Sequence, residues 1–260
     1  MWDFALGNSH TKSIPPVLQI GRSNICNFKC VYCPDHRIGN RVPREKLDQT
    51  AWGRLAQLIP RAELLSFHGI SEFLLDPDFF SIVETCQQAQ NSLSLNTNGS
   101  ICTDKHIEVL KNYSGYLIMT FSIDAASEST YRRIRGADFW KITENIRTYI
   151  KSFSSRRHAT WLNASFVVTV SNMHEIVDFV YLSKALGFDS VRFHLLHQYD
   201  GLDWKVTTKD GSEFDYVKEL PANQAEEYNK QVVLATKAAK VLEIELEIPA
   251  PFDLDNGKKS

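Results

Sequence analysis

Strand-like and helix-like segments alternate along most of this chain, and that alternation limits its possible folds more than any other feature. Strand patterns occupy residues 17–22, 64–67, 92–97, 116–124, 160–170 and 190–197. Helical patterns separate them at 44–58, 77–88, 103–110, 127–134 with 140–153, and 172–186. A strand–helix unit repeated about six times predicts parallel strands joined by right-handed crossovers. An open doubly wound sheet and a barrel both satisfy that pattern. The polar residues at the strand ends favour the barrel. They are the cysteine run after strand one, His68-Gly69, Asn98-Gly99, Ser122 with Asp124, and His197-Gln198. A site assembled from many strand C-termini is the barrel habit, whereas an open sheet gathers its ligand at one switch point. Six units fall short of eight. The expected fold is therefore α/β, a partial (β/α)6 TIM-like barrel with a C-terminal helix-strand extension.

The expected organisation is an N-terminal extension at 1–16, the barrel at 17–200, the C-terminal extension at 201–250 and a disordered tail at 251–260. In the C-terminal part, 198–220 reads as a long polar loop, 221–241 as a helix and 242–248 as a possible seventh strand. With 260 residues, 43% of them hydrophobic, the chain can bury a sizeable core. A net charge of −2 without a long basic run gives no case for nucleic acid. No stretch approaches the roughly 20 apolar residues of a membrane span, and the N-terminus lacks the pattern of a secretory signal. Unpaired thiols without export predict a reducing, cytoplasmic setting.

Cys26, Cys30 and Cys33 carry the strongest chemical signal. Three thiolates within one short loop supply three ligands, whereas a fully protein-ligated [4Fe–4S] cubane takes four. The spacing therefore suggests a cluster with one iron open to another ligand, the feature that separates catalytic from structural metal sites. Zinc is the main alternative, with His36 completing a Cys3His set. A disulfide scaffold fits poorly, because five cysteines is an odd count and three are crowded together. Cys86 and Cys102 read as core or near-surface thiols.

Several motifs, in order, resemble those of the radical S-adenosylmethionine (SAM) superfamily over about residues 17–200. They begin with Cys26-x3-Cys30-x2-Cys33, with Tyr32 before the last cysteine. His68-Gly69-Ile70-Ser71-Glu72-Phe73 resembles the family's Gly-Gly-Glu-Pro segment, with Ser71 for the second glycine and Phe73 for the proline. Asn96-Thr97-Asn98-Gly99, Ser122-Ile123-Asp124-Ala125, Tyr131 to Gly136, and Phe166 to Glu175 follow. The last two resemble the branch that includes peptide-modifying maturases. Nothing cysteine-rich follows residue 102, so one cluster is expected, without a C-terminal auxiliary-cluster domain.

The resemblance implies specific roles. Cys26, Cys30 and Cys33 would hold the [4Fe–4S] cluster, and SAM would bind its open iron. Tyr32, Gly69, Ser71, Glu72, Asn98, Ser122, Arg135 and Ser165 would contact SAM, with Glu72 on its amino group, Tyr32 against adenine and Arg135 at its carboxylate. Asp124 would touch substrate or ribose, or merely cap the next helix. Tyr199 is a candidate radical relay, while His194 and His197 read as packed or solvated. The implied chemistry is reductive cleavage of SAM to a 5′-deoxyadenosyl radical that abstracts hydrogen from substrate. The expected substrate is a ribosomally made peptide presented with a separate leader-recognition protein, and the expected reductant is a flavodoxin or ferredoxin. A small-molecule dehydrogenase or isomerase is the alternative. A non-enzymatic metal module is the remaining reading.

Overall fold

A computed structural model describes residues 15–34, 45–198, 201 and 203–254. Seven strands form one sheet: β1 (Val17–Gln19), β2 (Leu64–Phe67), β3 (Ser92–Thr97), β4 (Leu117–Ser122), β5 (Thr160–Val168), β6 (Ser190–Leu195) and β9 (Glu245–Glu247). Their spatial order follows the sequence, β1-β2-β3-β4-β5-β6-β9, and every pairing is parallel. The first and last strands are edges, so the barrel is partial. The segment predicted as a possible seventh strand contains β9, which pairs with β6 as Ser190↔Glu245 to Arg192↔Glu247.

Side chains on a strand alternate between faces, and here the two faces differ sharply. Leu65, Phe67, Leu93, Leu95, Met119, Phe121, Leu162, Ala164 and Phe166 are buried among the helices. Their neighbours on the other face are Ser66, Ser94, Thr120, Asn163, Ser165 and Ser190, also buried. Three of these polar groups, Thr120, Asn163 and Ser190, satisfy one another. Asn163 Nδ2 donates to Thr120 Oγ1 at 3.2 Å, the Ser190 hydroxyl donates to Asn163 Oδ1, and Trp161 Nε1 donates to Ser190 Oγ at 3.2 Å. The helix-facing side is thus oily, and the opposite side is a hydrogen-bonded lining.

The crossover helices are α1 (Gln49–Ala56), α2 (Phe79–Gln88), α3 (Asp104–Lys111), α4 (Glu128–Arg135), α5 (Phe139–Ser152) and α6 (Ile176–Leu186). Local chemistry sets their ends. Asp48, Thr103, Ser127 and Asp138 cap N-termini with side-chain oxygens. Gly136 and Gly187, at φ 69° and 95°, close α4 and α6 in the left-handed region. The long α7 (Ala225–Leu242) packs beside α6. No helix among the described residues is long and apolar enough to cross a membrane.

The stretch expected to be a long polar loop contains structure. β7 (Lys205–Thr207) and β8 (Glu213–Asp215) form an antiparallel hairpin. Phe214 and Tyr216 join Val31, Ile134 and Leu196 in a second small core. Trp204 packs on Tyr216 at 4.4 Å and donates from Nε1 to the Val31 carbonyl at 3.1 Å. The hairpin therefore braces the cysteine loop. None of its described residues lines the cavity that the cysteines face.

Candidate active site

The cysteine loop leaves the top of β1 and is pinned at several points. Val31 N–H donates to Ile134 O at 3.0 Å, Cys33 N–H to Cys30 O at 3.1 Å, and Glu72 N–H to Ile25 O at 2.9 Å. So held, Cys26, Cys30 and Cys33 face one cavity of about 330 Å³. Its other walls come from the C-terminal ends of β2 to β6 and the loops that follow them.

Among the described residues, no three Cys, His, Asp or Glu side chains converge closely enough to hold a single metal ion. Three thiolates at one cavity are a donor set that a [4Fe–4S] cluster with one open iron takes. His36, the proposed fourth zinc ligand, lies outside the described residues. Two donors approach the sulfurs, Arg135 Nη1 at 3.4 Å from Cys30 Sγ and Asn98 Nδ2 at 4.0 Å from Cys26 Sγ. Burial pushes the Cys26 and Cys30 thiols up, and Arg135 partly opposes this at Cys30. Metal loading must therefore displace protons.

Gly69, Ser71, Glu72, Asn98, Ser122, Ser165 and Tyr32 line the same cavity. Ser122 and Ser165 are direct partners across β4 and β5. Glu72 is 1% exposed. Its Oε2 accepts from Asn98 N at 2.6 Å, and its Oε1 accepts from Thr97 Oγ1 at 2.8 Å and from Leu74 N at 3.3 Å. Burial nevertheless raises the carboxyl to about 7, those hydrogen bonds opposing it. A buried acid poised near neutrality at a cavity wall can become a full carboxylate when an ammonium arrives. Phe73 replaces a rigid proline without loosening the turn. It is buried and stacks on Phe67 with ring centroids 4.4 Å apart, while Glu72 caps the 3-10 turn Phe73–Leu75. Gly99 is needed at its place. It has φ +73°, and a Cβ there would meet Ile142 Cγ2 at 3.3 Å.

Two of the expected contacts, Asp124 and Arg135, are engaged with each other. Asp124 is fully buried and does not line the cavity. Its Oδ1 accepts from Val167 N at 2.7 Å, and its Oδ2 accepts from the Tyr32 hydroxyl and pairs with Arg135 Nε at 2.5 Å. Its carboxylate is thus engaged by the protein's own groups, and the helix cap also expected of it is supplied by Ser127, which caps α4. Arg135 borders the cavity, and Cys30 and Asp124 engage its guanidinium. Tyr199 lies outside the described residues. Reading the sequence missed Thr97 and Asn172. Thr97 holds Glu72, and Asn172 Nδ2 donates to Asp124 O at 3.0 Å. Neither carries a signal beyond its place in a motif. His194, read as packed or solvated, is exposed and lines the cavity from β6.

Residues 20–180 match the family model described as "Radical SAM superfamily". The chain belongs to the radical SAM superfamily. The cofactors of that superfamily are a [4Fe–4S] cluster and SAM, and the donor set above fits both. Among curated relatives, a probable GTP 3′,8-cyclase of Saccharolobus islandicus (strain L.S.2.15 / Lassen #1) is 26% identical over 183 residues. The match covers 69% of this chain and 56% of that protein, so this radical SAM chain spans little more than half of the relative's length. Streptococcus suis SuiB bound to S-adenosylmethionine shares the fold with a TM-score of 0.68 at 16% identity, over 93% of this chain and 52% of SuiB. Native anSMEcpe with bound AdoMet shares it with a TM-score of 0.63 at 17% identity, over 90% of this chain and 64% of the other.

Proposed function

We propose that this chain is a radical SAM enzyme acting on a ribosomally made peptide. The observation that carries the reading is the meeting of Cys26, Cys30 and Cys33 with Glu72, Asn98, Ser122 and Ser165 around one cavity. In this reading the three thiolates anchor a [4Fe–4S] cluster. Glu72 receives the SAM amino group, with Gly69 and Ser71 beside it. Ser122 and Ser165 offer adjacent hydroxyls to the ribose, and Tyr32 walls the adenine side. Asn98 shapes the turn through its Oδ1, which accepts from Ser100 N at 2.9 Å. When bound and reduced, the cluster and SAM supply a 5′-deoxyadenosyl radical that abstracts hydrogen from substrate. The chain's own task is to fix these groups and to limit water.

Two observations support a peptide substrate. The hairpin packs against the cysteine loop and leaves the cavity wall uncapped by its described residues, which suits an extended ligand. The fold is shared with SuiB, which has also been solved with its precursor peptide SuiA. A separate leader-recognition protein and a flavodoxin or ferredoxin donor, in a cytoplasmic setting, complete this reading. The relatives named GTP 3′,8-cyclase favour a second reading, a small-molecule substrate such as a nucleotide.

The test is anaerobic incubation of reconstituted protein with reductant, SAM and either a candidate precursor peptide or a nucleotide panel. Release of 5′-deoxyadenosine with a mass change in the peptide is expected. A product from the nucleotide alone would replace the peptide reading with the second, and no 5′-deoxyadenosine under any condition would overturn both.

A further inference from the structure

Arg135 and Asp124 form a buried pair against the cysteine loop that the reading above leaves without a task. Arg135 Nη1 donates to Cys30 Sγ at 3.4 Å, and its Nε lies 2.5 Å from Asp124 Oδ2. The Tyr32 hydroxyl donates to that same oxygen, and the Arg135 guanidinium sits 6.0 Å from the Tyr32 ring centroid. Asp124 is held in place by its own backbone. Its φ is +64°, in the left-handed region that Asp enters more readily than most residues with a Cβ. Asn172 holds it there by donating from Nδ2 to Asp124 O at 3.0 Å and to Val167 O at 2.9 Å. Asp124 and Asn172 are 0% exposed and Arg135 is 8% exposed, so water does little to screen this pair.

A guanidinium stays charged at any working pH. An N–H directed at a ligand sulfur stabilises negative charge there, and such bonds, with local charge, set the potential of an iron–sulfur centre. A carboxylate on the far side of the guanidinium offsets part of that effect. We propose that Arg135 is a positioning residue that raises the reduction potential of the cluster bound through Cys30, and that Asp124 sets how much of its charge the cluster feels. The proposal rests on reading the cysteine triplet as a cluster site. Because Asp124 also holds Tyr32, one buried carboxylate fixes both the cluster-side charge and the adenine-side wall.

The test is an equilibrium redox titration, followed by electron paramagnetic resonance, of the reconstituted full chain and its D124N, R135Q and R135K variants. R135Q should lower the reduced-to-oxidised ratio at fixed poise by about tenfold, or about 59 mV for one electron. D124N should shift the potential the opposite way, since the guanidinium loses its counter-charge, and R135K, which keeps the charge but not the planar fork, should shift in the same direction as R135Q and by less. Equal potentials in all four proteins, or shifts of the same sign in R135Q and D124N, would overturn the proposal. A purely structural role would lower cluster occupancy without moving the potential of the loaded fraction. If R135Q takes up no cluster, the upward shift in D124N decides the matter alone. A wild-type chain that binds no four-iron cluster refutes the underlying reading and this proposal with it. A loaded wild type with unmoved variants refutes this proposal only.

Discussion

Single residues in this site act through what surrounds them. Glu72 shows this most plainly. Its folded value of about 7 lies above the ordinary 4.5 because of burial. Between those values the folded chain binds more protons than the unfolded one, so stability falls as pH rises through that window. At about 1.4 kcal/mol per unit the loss is about 3 kcal/mol. Denaturant melts of the metal-free protein at about pH 5 and about pH 8 should show it, and Glu72→Gln should flatten the difference. The buried pair of Asp124 and Arg135 obeys a second rule. Removing one partner leaves a charge without compensation, so Asp124→Ala should cost about 3–5 kcal/mol in the same melts. Sequence spacing marked Cys26, Cys30 and Cys33, the family resemblance added Glu72, and all four line one cavity. The pairing of Asp124 with Arg135 was not legible, since it depends on a contact between a strand end, a helix end and the cysteine loop. No spacing within one segment encodes that contact.

At the scale of elements, the strand–helix alternation was readable because its period is local, and the structure shows helix ends set by local caps such as Ser127 and Gly136. The hairpin of β7 and β8 was not readable. Its strands are three residues each, and the surrounding Gly, Asp and Lys mask the apolar Val206 and Phe214. Only tertiary packing shows that Trp204, Phe214 and Tyr216 belong to a core with Val31. That packing makes the hairpin a brace for the cysteine loop. Trp204→Ala removes a half-buried ring and its bond to the Val31 carbonyl. A loss of about 2 kcal/mol is expected, below the range for a fully buried aromatic. Iron release to a chelator should quicken in the same variant, measured by absorbance. Unchanged release with lowered stability would separate the hairpin from the loop it touches.

Across the whole molecule, one sheet divides two environments. Its outer face packs apolar side chains under the helices, and its inner face carries hydroxyls, amides and the cavity. The parallel order places all the strand C-termini on one side, so groups far apart in sequence meet at the cysteines. Among the described residues the sheet stops at β9 without closing on β1. We propose that the three cysteines hold a cluster whose last position is open and that the cavity beside it takes SAM. Electron paramagnetic resonance of the reduced, reconstituted protein with and without SAM tests this most directly. The account predicts a [4Fe–4S] signal, from about four irons per chain, that changes shape when SAM is added and is lost when Cys30 is replaced by Ala. A cluster signal indifferent to SAM, or a chain carrying zinc without sulfide, would contradict it.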